Sequence, residues 1–298
     1  MYKKLSDLER LVSNKKERKI LVLAVSQDAF SLNAVYKGYV AGYIMPVLIG
    51  DKALTEAIIN ENKFDFKDVR IIDEPNPEKC VELAVKMAHD DEVQILMKGN
   101  VPTPVLLKGV LNKSWGLRTN TLLSHFALFE VETYHKFIAI TDVAMNIAPN
   151  LKDKIAIVNN SVGYLNKMGI ANPKVAVLGA IEMVNESMQA TLDAALLSKM
   201  NQRDQIKNCT IDGPLAFDNA ISFESAKHKK IKSAVAGDTD LLLVPDIEVG
   251  NVLYKTLVFF AKAKVASVIL GAKVPIVLTS RSDSEESKYY SIVLAAIG

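Results

Sequence analysis

Short apolar runs alternate with longer amphipathic stretches along almost the whole chain, and few folds satisfy that pattern. Leu5, Leu8, Leu11 and Val12 recur at helical spacing and predict an opening amphipathic helix. Apolar runs over 20–25, 47–49, 69–72 and 95–97 predict strands, and the stretches 28–42, 51–60 and 77–89 predict helices between them. Gly42 suits a helix end, Asp51 an N-cap and Pro77 a first turn. Strands that are apolar without alternation are buried on both faces. Such strands, separated by helices, build a mainly parallel sheet in an α/β fold.

The rhythm breaks once. Residues 122–131 and 137–140 read as two strands joined by a polar turn around Thr133-Tyr134-His135, a hairpin that marks a domain boundary. Alternation then resumes, with helices over 152–168, 187–200, 217–227 and 249–261 and strands over 175–178, 210–212, 241–244 and 268–270. A last strand over 274–279 and a closing helix over 283–296 complete the reading.

The composition excludes several function classes. Of 298 residues, 49% are apolar and 23% charged, enough to bury a sizeable core. The 36 basic and 34 acidic residues leave a net charge of only +2, so no electrostatic footprint for nucleic acid or a membrane surface is expected. The basic runs 15–19 and 227–230 read as solvated helix ends or loops. Cys80 and Cys209 lie far apart without CxxC spacing and read as packed thiols. No ligand spacing joins them to His89, His125, His135 or His228, so no metal is expected. The first residues lack a signal-peptide core and no apolar run approaches membrane length, which points to the cytoplasm.

The common nucleotide and hydrolase fingerprints are missing: the chain has no GxGxxG, GxxxxGK[ST], GxSxG or HExxH. Candidate chemistry lies instead where apolar strands end, the usual ligand edge of open α/β sheets. Leu278-Thr279-Ser280-Arg281 hands over to the last helix, which Ser282 and Glu285 would open as a capping box. Ser280 and Arg281 would then face an anion at the helix's positive end, or Arg281 would pair with a surface carboxylate and Ser280 merely turn the chain. Asp246, Glu248 and Asn251 follow another apolar strand; they either position a ligand or complement a helix dipole. Asp212, in Ile211-Asp212-Gly213-Pro214, sits in an expected tight turn. Lys98 and Lys108 flank a Gly99 loop and the Pro104 helix, where they reach an anion or are solvated.

Several segments together resemble the phosphate acetyl/butyryltransferase family, most closely its butyryl branch. They are Leu96-Met97-Lys98-Gly99, Thr141-Asp142-Val143-Ala144-Met145-Asn146, Ile155-Ala156-Ile157-Val158-Asn159-Asn160-Ser161 and the run 190–200. Further on come Ile211-Asp212-Gly213-Pro214-Leu215-Ala216, Gly250-Asn251-Val252-Leu253-Tyr254-Lys255-Thr256 and Leu278-Thr279-Ser280-Arg281. The resemblance implies two α/β/α lobes with mainly parallel sheets, like those of isocitrate and isopropylmalate dehydrogenases, with the active site in the cleft between them. Residues 1–121 plus 276–298 would form the N-terminal lobe and 122–275 the second.

The implied reaction is acyl-CoA plus phosphate to acyl phosphate plus CoA, by direct transfer. Butyryl or a similar short or branched acyl group is the expected cargo, in fatty acid metabolism. Coenzyme A and phosphate enter as substrates and no cofactor is needed. A homo-oligomer, at least a dimer, is implied, with no nucleic-acid or membrane partner. Ser280, Arg281 and Asp283 are the expected catalytic residues, and Lys108, Asp246, Glu248, Asn251 and Asp212 the substrate-binding ones. Two positions depart from the acetyl branch. Lys108 stands where that branch has an arginine, and Ser287 where it has an aspartate proposed as general base. Asp283 is therefore the expected base, with Glu286 the next candidate. Two other classes fit the same fold: a metal-dependent decarboxylating dehydrogenase, and a non-catalytic CoA- or metabolite-binding regulator that lost its base.

Overall fold

Each apolar run becomes a strand and each amphipathic stretch becomes helix, in the expected order. The computed structural model describes residues 2–14, 17–279 and 283–298. Up to the hairpin the elements are α1 (Ser6–Ser13), β1 (Lys19–Ala24), α2 (Ala29–Val40), β2 (Ile44–Gly50), α3 (Lys52–Glu61), β3 (Arg70–Asp73), α4 (Pro77–His89), β4 (Ile95–Lys98) and α5 (Thr103–Val110). Then follow β5 (Ser124–Glu130), β6 (Ile138–Thr141), α6 (Leu151–Lys167), β7 (Lys174–Leu178), α7 (Gln189–Gln202), β8 (Thr210–Leu215), α8 (Phe217–Ile221) and α9 (Phe223–His228). The chain closes with β9 (Leu241–Leu243), α10 (Ile247–Phe259), β10 (Lys264–Leu270), β11 (Ile276–Val277) and α11 (Glu285–Ile297).

The chain divides into two units, Leu5–Thr121 with Ala266–Gly298, and Leu122–Val265 with Met1–Lys4. In the first, the N-terminal unit, the strand order is β3-β2-β1-β4-β11-β10. Neighbours there run parallel except β10, which pairs antiparallel with β11 through Ile269 and Ile276. That pairing, and the bond from the Ser267 amide to Ser291 Oγ on α11, place the division at 266 rather than the 276 expected from sequence. Leu21, Leu23, Leu48, Leu96 and Ile292 are fully buried here, each such side chain contributing ~1.5–3 kcal/mol. Helix α4 shows how the residues dictate the element. Asn76 Oδ1 caps the Glu78 and Lys79 amides, Pro77 opens the helix, and Cys80, Val81, Ala84, Val85 and Ala88 bury one face.

In the middle unit the order is β5-β6-β9-β7-β8, with the β5–β6 hairpin antiparallel and the other neighbours parallel. Its core gathers Phe129, Ile140, Ala176, Leu178, Leu242 and Val244.

The structure corrects four element boundaries. The single helix expected over 217–227 is two, because Ser222 is extended (φ −118°, ψ 116°) and its hydroxyl caps Ser225. The strand expected over 210–212 runs on to Leu215, so the expected turn at Asp212 is strand. A Cβ on Gly213 would lie 2.7 Å from the Val177 carbonyl oxygen, so glycine lets β8 lie against β7 where their register shifts. The last strand spans only Ile276–Val277, and the last helix starts at Glu285. Among the described residues no helix is long and apolar enough to cross a membrane.

Candidate active site

In the N-terminal unit the carboxyl ends of β1, β4 and β11 lie side by side, since β4 pairs in parallel with both of the others. The loop leaving β4 packs directly on β1. Gly99 N donates to the Ala24 oxygen and Asn100 N to the Val25 oxygen, both at 2.8 Å. A Cβ on Gly99 would lie 2.1 Å from that Val25 oxygen, so no other residue fits. Val25 itself has φ +62°, a conformation that costs a β-branched residue ~1–3 kcal/mol.

Against this junction lies a hollow of about 220 Å³, lined by Asp28, Ser31, Lys98, Asn100, Thr279 and Lys288 among others. Its two lysines are buried, Lys98 7% and Lys288 4% exposed. Lys98 Nζ donates to the Gly99 and Val101 carbonyls at 3.2 Å, and Lys288 Nζ to the Asp283 carbonyl at 3.1 Å. Asp28 caps α2, accepting from the Ser31 amide at 2.9 Å and from the Ser31 hydroxyl.

The structure places the expected site residues unevenly. Ser280 and Arg281 lie outside the described residues, as does Ser282. Asp283 is half-buried, its carbonyl held by Lys288. Ser284, not Ser282, caps α11, its hydroxyl accepting from the Ser287 amide at 3.1 Å. Glu285 does not close a box; its carboxylate takes Asn33 Nδ2 at 2.6 Å and pairs with Lys37 at 3.3 Å. With Glu285 and Glu286 in the first turn, carboxylates already answer the helix's positive end. Lys108 is exposed on α5 and lines a different hollow of about 360 Å³ with Val81, Glu82 and Trp115. Lys98 and Lys108, read together from sequence, therefore serve separate hollows.

In the middle unit Asp246 caps α10, its Oδ1 accepting from the Val249 amide at 2.9 Å. Glu248 is exposed and Asn251 half-buried one turn in. Asp212 is not beside them. Its register partner on β7 is Ala176, which pairs with Leu242 on β9, so Asp212 lies level with mid-strand rather than with Asp246.

What sequence reasoning missed here is the hub beside Asn251. Asp142 is buried, and its Oδ1 accepts from the Ala144 and Met145 amides at 2.9 Å. Its Oδ2 accepts from Asn146 Nδ2 at 2.5 Å, and the same amide reaches the Leu123 carbonyl at 2.8 Å. Burial pulls the neighbouring His125 below the ordinary histidine pKa, against the opposing pull of Asp142. Among the described residues His125 Nδ1 has no hydrogen-bond partner. The available signal was Asp142-Val143-Ala144-Met145-Asn146, whose Asx spacing after an apolar strand suits a self-bonded turn.

Lys288 was missed too. A lysine in the first turns of a helix opposes the dipole, and that breach was the signal. Burial raises the Cys80 and Cys209 thiols to about 11, so both stay protonated near neutral pH. Among the described residues no cluster of His, Cys, Asp and Glu could hold a metal ion.

A mainly parallel α/β sheet offers a ligand edge at the carboxyl ends of its strands. Comparison with known proteins narrows the class. Residues 74–296 match the model of the phosphate acetyl/butaryl transferase family, and the chain belongs to that family. The chain is 46% identical to phosphate acetyltransferase of Thermotoga maritima, covering 97% of this chain and 99% of that protein. It is 44% identical to phosphate butyryltransferase of Clostridium acetobutylicum, covering 100% and 98%. Among solved structures it matches a branched-chain phosphotransacylase from Enterococcus faecalis, with TM-score 0.81 and 33% identity over 94% of this chain and 99% of that one. It is thus an acyltransferase that works with phosphate.

Proposed function

We propose that the chain transfers a butyryl or similar short or branched acyl group between CoA and phosphate in a ternary complex. The observation that carries this reading is likeness over nearly the whole chain to both an acetyl- and a butyryltransferase. A phosphate oxygen attacks the thioester carbonyl carbon. The new C–O bond replaces the C–S bond, and CoA leaves as a thiolate that takes up a proton. Phosphate dianion needs gripping and alignment rather than activation, and alignment supplies several kcal/mol of such a barrier.

In this reading Arg281 grips the phosphate and Ser280 hydrogen-bonds the developing oxyanion or the sulfur. Asp283 takes the thiol proton in the reverse direction, where a free thiol with a pKa of about 8.5 benefits from a base. Lys108, Asp246, Glu248, Asn251 and Asp212 serve substrate binding. The two units correspond to dehydrogenase-like lobes with the site in the cleft between them. The enzyme acts in the cytoplasm as a homo-oligomer, at least a dimer. No step calls for a metal or a cofactor, so turnover should continue in EDTA. Loss on chelation with recovery on adding magnesium would favour the dehydrogenase alternative.

The test is turnover of acetyl-, propionyl-, butyryl- and isobutyryl-CoA with phosphate, read by hydroxamate detection of the acyl phosphate. The highest kcat/KM should fall on a four-carbon chain. A preference for acetyl-CoA would sink the butyryl assignment, and no acyl phosphate from any of them would leave the regulator reading.

A further inference from the structure

We infer that Phe30 is the apolar wall against which the acyl chain lies, and that it sets the preference for chain length. The inference rests on the phosphate acyltransferase reading and deepens it. Phe30 lines the hollow of about 220 Å³ at the carboxyl ends of β1, β4 and β11, and it is 60% exposed. Among the described lining residues it is the single large apolar side chain, the others being polar or glycine. Thr279 lines the same hollow, and Ser280 and Arg281 follow it directly in the chain.

An apolar residue exposed singly needs no explanation in general. This one is held in place and takes no part in the core. The Ser31 amide and hydroxyl both donate to the Asp28 carboxylate, and the Leu32 amide donates to the Asp28 carbonyl at 2.9 Å, so the turn that carries Phe30 is fixed. Helix α2 buries Leu32, Ala34, Val35 and Gly38 and leaves Phe30 outside that face.

The chemistry of the reaction selects the occupant. Phosphate and the reacting thioester are polar, and an aromatic wall offers them little. Acyl groups of different length differ only in methylenes, and those shed water against an apolar ring. Covering one methylene favours the longer chain roughly fourfold, so the two that separate butyryl from acetyl give up to about 15-fold. The competing occupants are the pantetheine arm, which every acyl-CoA shares, and a second copy of the chain.

Wild type, Phe30→Ala and Phe30→Leu are compared by kcat/KM for acetyl- and butyryl-CoA and by phosphate KM, with thermal melting and size-exclusion chromatography alongside. Phe30→Ala should lower the butyryl-to-acetyl ratio of kcat/KM roughly 4- to 15-fold, the loss falling chiefly on butyryl-CoA, with the phosphate KM within about twofold. Phe30→Leu, which keeps a smaller apolar side chain, should fall between. Both variants should melt and elute as the wild type does.

An unchanged ratio in Phe30→Ala overturns the inference. An equal loss with both thioesters does the same, because it gives the ring to the part of CoA that they share. An altered elution volume with the ratio unchanged assigns the ring to an interface and also overturns it. If Phe30→Ala fails to fold, the ratio in Phe30→Leu decides: a fall of twofold or more supports the wall, and no fall overturns it. A wild type that makes no acyl phosphate defeats the underlying reading instead. A wild type that turns over, with a chain-length ratio indifferent to Phe30, defeats this inference alone.

Discussion

A Cβ on Gly250 would lie 2.6 Å from the backbone oxygen of Asp142 and 2.9 Å from Cα of Val143. The first turn of α10, with Asp246 at its cap and Asn251 beside the glycine, therefore rests directly on the loop that Asp142 organises. Gly250→Ala must push backbone from backbone, which no rotamer change relieves. We expect a cost of ~1–3 kcal/mol and a melting temperature lower by several degrees. The acyl-CoA KM should rise as well, if the turn carrying Asn251 touches substrate. A variant as stable and active as the wild type would show that the loop yields freely.

His125 ties stability to pH. It is 6% exposed, and burial holds its pKa below the ordinary value near 6.5. Above that value folded and unfolded chains both carry neutral imidazole, and the native state bears no penalty. As pH falls through about 6.5 the unfolded chain takes up a proton that the folded one refuses, so stability drops toward the lowered native pKa. The slope from this group approaches but does not exceed ~1.4 kcal/mol per pH unit. His125→Phe should flatten the decline in melting temperature between roughly pH 6.5 and 5.5. An identical pH profile in that variant would remove His125 as the source.

Lys154 on α6 and Asp193 on α7 form a buried ion pair at 2.6 Å, with side chains 5% and 4% exposed. Gln189 Nε2 donates to the other carboxylate oxygen at 2.8 Å. Removing one partner strands a buried charge, so Asp193→Asn should cost ~3–5 kcal/mol in denaturant unfolding. Replacing both, as in Lys154→Met with Asp193→Leu, should recover most of that loss. Equal losses in the single and double variants would show that the packing, rather than the stranded charge, is responsible.

Helix–strand order was legible in the sequence because burial on both faces writes itself into unbroken apolar runs such as Leu21-Val22-Leu23 and Leu241-Leu242-Leu243. Boundaries were less legible where a local bond or a close approach decides them. Ser222 divides α8 from α9 through one hydroxyl, and Gly213 extends β8 through its contact with Val177. The Lys98 hollow was half visible: the strand–Gly99 exit pointed to it, but Lys288 comes from a helix at the far end of the chain. Sequence proximity instead coupled Lys98 to Lys108, which the course of α5 sends to another hollow. The turn at Asp142 was legible in its own local spacing, whereas its pull on His125 crosses from the loop after β6 to β5, which no linear spacing encodes.

For the proposed general base, Asp283 and Glu286 are the two candidates beside the start of α11. Ser287 is bound into the α11 cap: its amide donates to Ser284 Oγ and its carbonyl accepts from Ser291 Oγ at 2.7 Å. Its hydroxyl cannot replace a carboxylate as base. Asp283 is half-buried and its carbonyl is anchored by Lys288, so its backbone is placed with little freedom just outside the helix. Glu286 is exposed on the first turn. A base works best when held in one geometry, which favours Asp283. Asp283→Asn and Glu286→Gln are to be compared in the CoA-consuming direction across pH 6–9. Asp283→Asn should lower kcat at least ~100-fold at neutral pH and recover partly as pH rises and thiolate forms unaided. Glu286→Gln should stay within a few-fold of wild type. A large loss in Glu286→Gln alone moves the role to Glu286. Near-full activity in both would mean that the thiol proton leaves without help from either carboxylate.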